Sequence, residues 1–429
     1  MLIAVPCASA LDFPGARVVS VAPEASSGLE GIYVVENASG VRAVYPTSTP
    51  QSVRWYRFSN LGGAYAEEIA GSTGDGGSYI TLGAGDYGYI VEHEGRNHCF
   101  WVTDYAGHTF RAGGLTVSPE QECDRLRLDF AGSAAEIACY TINGRRIAIS
   151  RDIEVEYTTL NYDEENFSYT PGSHTETFEY IDGSFSVPSP LCTTTCTLTG
   201  DRFLRAWERE QQVSTGTLQP TAVAAETRAT QEQRENDNEQ KEPGADGLGG
   251  SAPVDITFDA IVSDAAIFHE WQISRSAEFD INELTYTELS FTFTFREQGK
   301  CYVRFVAADA DGVCEYIGPT YEVFIGESKL DIPNAFSPDA SPGVNDEWKV
   351  SYKSLVSFEC HIFNRWGQQL FETTDPAQGW DAKYGGRTVP PGVYYYVITA
   401  TGADGVEYKR SGDINIVGYS AGQHGTTEE

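Results

Sequence analysis

The stretch FECHIFNRWGQQLF, residues 358–371, decides how the chain is read. Val356, Phe358, Cys360 and Ile362 alternate with Ser357, Glu359, His361 and Phe363, the period-two pattern of a strand with one face buried. Asn364-Arg365-Trp366-Gly367 then turns the chain, with Gly367 free to take a positive φ, and Gln369-Leu370-Phe371 makes the return strand. Working outward, Pro390-Pro391-Gly392 leads into Val393–Ala400, a run of aromatic and β-branched residues. Ala403-Asp404-Gly405 turns that run back into a strand ending near Ile414–Val417. Together these predict an immunoglobulin-like β-sandwich of about 100 residues.

Around this hairpin stand further blocks: Ile332-Pro333-Asn334-Ala335-Phe336-Ser337-Pro338, Gly343-Val344-Asn345-Asp346, Gly379-Trp380-Asp381 and Val389-Pro390-Pro391-Gly392-Val393-Tyr394. Their order and spacing over residues 330–418 resemble the gliding motility-associated C-terminal domain, the type B sorting signal of the type IX secretion system. The resemblance implies a sorting domain at 328–420, the type IX machinery at the outer membrane as partner, and a cell-surface or extracellular destination. It carries the motif onto Pro333, Asn334, Phe336, Ser337, Pro338, Asn345, Asp346, Phe363, Asn364, Arg365, Trp366, Gly367, Gly379, Trp380, Asp381, Pro391, Gly392 and Tyr394. Trp366 has two readings, a core ring or an exposed ring read by the machinery. The loop 339–346 lacks the central acid common in related domains, which argues against calcium there.

The 429 residues predict about three or four domains. A formal net charge of −33 argues against nucleic-acid phosphates and anionic lipid as partners. No apolar run reaches the ~18–20 residues of a membrane span. Met1–Ala10 reads as the remnant of a signal peptide ending in Ala8-Ser9-Ala10, with acylation at Cys7 as the alternative.

Strand-length runs separated by Gly and Ser clusters make 11–118 an immunoglobulin-like sandwich, with Ile32–Val35 and Val41–Tyr45 as an early hairpin and Trp55 on a central strand. Residues 119–212 form a less regular β-module in which Ile137–Ile142 meets Ile147–Ile149 across Asn143-Gly144. From 213 to 252 the composition collapses to Gln, Glu, Thr, Asn, Gly and Pro, which predicts a disordered linker. Residues 253–327 return to the sandwich pattern and repeat the central tryptophan at Trp271. Their GKCYVRFVAADADG, residues 299–312, resembles the late hairpin of PKD domains. The fold class is therefore all-β, tandem immunoglobulin-like sandwiches with a linker.

Within 253–327, Cys301 and Cys314 are the nearest candidates for a disulfide, although a tight turn at 309–312 would not set them opposite each other, and Cys192-x-x-x-Cys196 reads as a disulfide or two unrelated thiols. Cys360 belongs on an apolar face. His93-Glu94-Gly95-Arg96-Asn97-His98-Cys99 is the densest ligand-type cluster; strand geometry sends His93 and His98 to opposite faces unless Gly95-Arg96-Asn97 turns the chain, and the segment reads as a solvated loop. No catalytic, metal or cofactor residues are assigned. The sequence thus describes a non-catalytic, multi-module exported protein for adhesion, surface display or glycan binding, its ligand a surface glycan or another surface protein. The alternative is a secreted hydrolase with its site in 11–212. Trp55, Tyr56, Trp101 and Tyr105 are the aromatics that a glycan-binding face would display.

Overall fold

The computed structural model describes residues 10–74, 76–242, 247–338 and 345–417. All but Ala10 of the signal-peptide segment, the loop 339–344 and the tail 418–429 lie outside the described residues. The described chain is nearly all strand, and it divides into two compact units. One is Met1–Asp163 with Tyr169–Ala222, the other Glu164–Ser168 with Val223–Glu429. No helix among the described residues is long and apolar enough to cross a membrane.

In the first unit a six-stranded sheet runs in the order Val18–Val21, Gly31–Val35, Arg96–Asp104, Tyr87–His93, Arg54–Phe58, Glu67–Ile69. Gly31–Val35 is parallel to Arg96–Asp104. A second sheet of Arg42–Pro46, Gly77–Thr81 and Ser72–Gly74 closes over Trp55, Ile80, Tyr89 and Phe100. Trp55 Nε1–H donates to Ser78 Oγ at 3.0 Å and pins the two sheets together. The other face of the large sheet, through Ile32, Val34, Phe58 and Trp101, joins a further core with Leu128, Ile137, Val155 and Phe203. Gly31–Val35 is therefore buried throughout, which explains why Ile-Tyr-Val-Val does not alternate. The early hairpin does not form. Gly31–Val35 and Arg42–Pro46 lie in different sheets, because the first pairs with Arg96–Asp104 and the second with Gly77–Thr81.

The rest of this unit is a second sandwich. Leu115–Val117, Arg125–Phe130 and Ser184–Pro188 form one sheet, and Ser168–Phe178, Ile153–Asp163, Thr197–Gly200 and Gln211–Ser214 the other. Ile137–Tyr140 pairs with Arg146–Ile149 across Asn143-Gly144, where Gly144 takes φ 78°. Arg151 and Asp201 form an ion pair at 2.9 Å with side chains 1% and 0% exposed. Tyr105 Oη–H donates to Asp201, while Arg151 also reaches the carbonyls of Ala135 and His108. A charge pair that deep persists only when its remaining hydrogen-bonding groups are satisfied, as they are here.

In the second unit, Ala225–Gln231, Val254–Val262 and Ser290–Phe295 face a sheet ordered Leu248–Gly250, Tyr321–Ile325, Gly299–Ala308, Phe268–Ser274, Leu284–Tyr286. Trp271 is fully buried against Phe258 and Phe305. The linker expected over 213–252 is largely built into structure: Ala225–Gln231 pairs along its length with Val254–Val262, and Leu248–Gly250 runs parallel to Tyr321–Ile325. Composition misleads here because Ala225 and Ala229 are all the apolar bulk this edge puts inward. Thr227 and Gln231 complete the face by hydrogen-bonding Tyr321 Oη and Gly249.

The C-terminal domain has the sheet Ala335–Phe336, Glu407–Ile416, Gly392–Gly402, Leu355–Phe363, Gln369–Thr373, the first pair parallel. Its core joins Phe336, Trp348, Ile362, Trp380, Tyr394, Ile398 and Ile414.

Cys301 and Cys314 are not a pair. Cys301 is a free, buried thiol, whereas Cys314 is disulfide-bonded, as is Cys123. Cys301 lies near the start of Gly299–Ala308 and Cys314 just before Glu315, opposite Ala308. Seven strand residues separate the two ends, roughly 23 Å, far beyond disulfide reach. Cys192 and Cys196 are both buried, and Cys196 and Cys360 are free thiols, Cys360 1% exposed.

Candidate functional site

Most of the C-terminal motif holds the domain together. Trp380 is 1% exposed, with Phe336 at 5.8 Å and Tyr394 edge-on at 5.4 Å between ring centroids. Trp348 Nε1–H donates to the Pro333 carbonyl at 2.7 Å, and the backbones of Trp348 and Trp380 bond each other reciprocally. The Asn334 carbonyl accepts from Asn415 N–H and so ties the short first strand to Glu407–Ile416. Ser337 N–H donates to the carbonyl of Asn345, which takes φ 56°; Asp346 follows it, and Pro338 is the last described residue before the loop. Asp381 accepts from the Lys383 backbone and pairs with its ammonium at 2.8 Å. At Gly379 a Cβ would meet Lys349 and Glu347 at 2.5 and 2.7 Å.

The remaining motif residues converge on one tip. Asn364 Oδ1 accepts from the backbone N–H of both Trp366 and Gln368 at 3.0 Å, and Gly367, at φ 80°, donates to the Asn364 carbonyl. With Asn364 spending its amide on the turn, Arg365 and Trp366 point outward. Trp366 is 76% exposed, with the Arg365 guanidinium 4.3 Å from the ring centroid. Gln368 Nε2 donates to Tyr384 Oη and links this tip to the neighbouring small hairpin. Beside the ring lies a groove of ≈ 350 Å³ lined by Trp366, Leu370, Tyr384, Pro390, Pro391 and Tyr394. Tyr394 Oη–H donates to the Pro390 carbonyl and fixes the Pro-Pro-Gly wall. Phe363, half-buried, stands at the base of the turn, and Gly392 opens the next strand. The tip thus presents an exposed Trp stacked on a cation beside a proline-walled groove. Trp366 is therefore not a core ring.

Elsewhere the candidates disperse. His93 bonds Thr49 at 2.9 Å, His98 pairs with Glu30 at 3.0 Å, and the two rings flank Tyr45. Among the described residues no three ligand-type side chains gather as a metal site would require. The proposed glycan-binding aromatics are not a surface row. Trp55, Trp101 and Tyr105 are buried as core pins, and Tyr56 is half-buried with its hydroxyl on Glu92. Trp55, Trp101 and Tyr105 thus have no solvent face to offer. Burial pushes the Cys99, Cys139, Cys196 and Cys301 thiols up to about 11 and Cys360 to about 12, so none is a ready nucleophile.

Two parts of the chain match known families. Residues 330–416 match the CHU_C Type IX secretion signal domain, and residues 116–215 match a fibronectin type III domain. The latter is the less regular module, whose family the sequence patterns above did not reveal. No curated protein matches the chain. Solved structures with some likeness include a tetra-tandem repeat from the extending region of a large adhesion protein, at 13% identity. It covers 89% of this chain and 96% of that one, with TM-score 0.22. A D1–D4 ectodomain fragment of ICAM-5 shares 11% identity over 90% and 97% of the two chains, with TM-score 0.22.

Proposed function

We propose that this type IX secretion cargo is a non-catalytic adhesion or surface-display protein whose export is read at the Trp366 tip. The match of residues 330–416 to the secretion signal domain makes it an exported, multi-module protein. The observation that carries the finer reading is Trp366, a motif residue that is exposed although the domain's other two motif-region tryptophans, Trp348 and Trp380, are buried. What sets this ring apart is its setting, stacked on the Arg365 guanidinium at the rim of an apolar groove, the kind of surface a partner contacts.

At the destination, the ligand is another surface protein. The outer sheet face of the third sandwich supports this with a groove of ≈ 470 Å³ over Val306 and Ala308, between Phe268 and Ile317, both exposed. Glu270 and Glu315 flank it, so the partner offers apolar side chains beside a basic one.

The test is cell fractionation with the full chain, the Trp366→Ala chain and the chain lacking 328–429. The full chain should reach the surface or medium, and the other two should stay in the periplasm. Normal export of Trp366→Ala would sink the tip as the recognition element. Normal export without 328–429 would sink the whole assignment.

A further inference from the structure

Between the third-sandwich strands Ala225–Gln231 and Leu248–Gly250, the chain makes an excursion that leaves its own sandwich. Part of this excursion lies along Ser351–Lys353 of the C-terminal domain. Tyr352 N–H donates to the Asn238 carbonyl at 3.0 Å, and Gln240 N–H donates to the Tyr352 carbonyl at 2.8 Å. Glu239 is the residue bridged to Tyr352, in the parallel sense. The excursion thus adds a single parallel bridge beside the two-stranded sheet of Lys329–Asp331 and Ser351–Lys353.

Its side chains are also spent on this edge. Asn238 Nδ2 donates to the carbonyls of Val350 and Pro376 at 2.8 and 2.9 Å, and Gln240 Nε2 donates to Ser351 Oγ at 2.9 Å. Asn236 Nδ2 donates to Tyr352 Oη at 3.1 Å. Glu239, its side chain fully buried, is held by Arg234 at 2.7 Å, and Lys353 pairs with Glu242.

We propose that the Ser351–Lys353 edge is a strand-acceptor site for an extended peptide bearing amide side chains, and that residues 236–242 are its resident, displaceable occupant. Two observations carry this. The contact reads sequence, because the Asn238 and Gln240 amides reach carbonyls and a hydroxyl that no apolar side chain would satisfy. The occupant also brings no apolar side chain to the domain's core, which closes over Trp348, Tyr352 and Trp380 without it. When the segment lifts as a whole, both sides of these contacts exchange their partners for water, whereas opening the core exposes apolar rings. Lifting the segment therefore exposes a competent strand edge on an otherwise folded domain. The partner it fits is a polar, extended segment that adds in the same parallel sense. What that edge serves in the cell rests on reading 330–416 as the export signal; whether it accepts a strand does not.

The experiment uses the purified full chain and a fluorescein-labelled peptide of residues 232–242. In the triple variant Asn236→Ala, Asn238→Ala, Gln240→Pro, the resident segment is weakened and the acceptor edge left intact. This variant should bind the peptide at least about tenfold more tightly than wild type, whose tethered segment competes at an effective concentration near millimolar. Equal binding by both chains, or no binding by a variant with native near-ultraviolet circular dichroism, overturns the proposal. Hydrogen exchange in wild type gives a second reading that needs no variant. The Tyr352 amide should exchange faster than that of Ile398 in the core sheet, and equal protection of the two would show that the segment is not displaceable. Export plays no part in either readout, so a failed secretion assay and a failed binding assay remain distinguishable.

Discussion

In the third sandwich the strand Phe268–Ser274 carries Trp271 into the core, between Tyr286 and Phe305 of its neighbours. In the C-terminal domain the strand in the same place, Leu355–Phe363, carries Cys360 there, between Thr373 and Ile398. Both sheets run in one order: a short strand parallel to the last strand, then two long antiparallel strands, then a short return. The large sheet of the first sandwich has this same run of strands. What changes is where the tryptophans go. The C-terminal domain fills its core from the loops, with Trp348 and Trp380, and puts a third ring out on the tip of the hairpin that follows Leu355–Phe363. A common sheet plan thus says little about role, and what distinguishes the C-terminal domain is where its tryptophans sit.

The largest effects should come from removing the rings that fill the two cores. Trp271→Ala and Trp380→Ala should each cost about 3–5 kcal/mol, the usual loss for a fully buried large aromatic. Urea denaturation followed by fluorescence measures both. A loss under about 1 kcal/mol at Trp380 would mean that loop-supplied tryptophans do not substitute for the strand-borne one, and the comparison would break.

A smaller effect is expected at the segment that joins the two bodies. Asn238→Ala leaves the Val350 and Pro376 carbonyls without their amide donor, at a cost of about 1–3 kcal/mol. The loss should appear as faster exchange at Tyr352 while Trp271 fluorescence is unchanged. Destabilisation of the third sandwich instead would show that the segment belongs to that body alone.

This segment also marks where sequence reading stopped. The hairpin 355–373 was legible because one face meets a core and the other water, so its side chains alternate, and the Asn143-Gly144 hairpin because only certain residues suit that turn. The Trp366 tip could be placed on a turn but not assigned a face, since turn residues carry no periodicity. Residues 225–242 were illegible because polar side chains and backbone, rather than buried apolar area, hold them. Gly31–Val35 misled for the opposite reason, since burial on both faces erases alternation. The buried Arg151–Asp201 pair had no sequence signal at all, its partners being fifty residues apart.

Titration sharpens the comparison further. The hydrogen bond and charge of Lys353 hold the Glu242 carboxyl below the ordinary glutamate range. Its folded value is lower than its unfolded one, so its support is complete above the unfolded value and lost as pH falls through the folded one. Acidification below about pH 4 should therefore shift the Tyr352 amide resonance before that of Ile398. Thiol chemistry bears on both cores alike. At pH 8, iodoacetamide should leave native Cys301 and Cys360 unmodified, because burial holds them as thiols up to about 11 and about 12. Peptide mass mapping reads this, and modification of Cys360 alone would show that the C-terminal core opens more readily than that of the third sandwich.

The smallest change in stability should come from Trp366→Ala, the substitution that most directly separates holding a fold from being read. Asn364 and Gly367 close the turn by bonds that do not involve the ring, and the Arg365 guanidinium stacks on it. The ring is three-quarters exposed, so truncating it removes little buried area, and the melting midpoint should correspond to a change within about 0.5 kcal/mol. Asn364→Ala makes the needed contrast. It leaves the ring in place but removes the side-chain acceptor shared by two backbone N–H groups, and so should loosen the tip and lower stability by about 1 kcal/mol or more. If Trp366→Ala stays in the periplasm while melting like wild type, the ring is read. If it melts several degrees lower and is exported normally, the tip is structural, and the difference between the two domains reduces to how each fills its core.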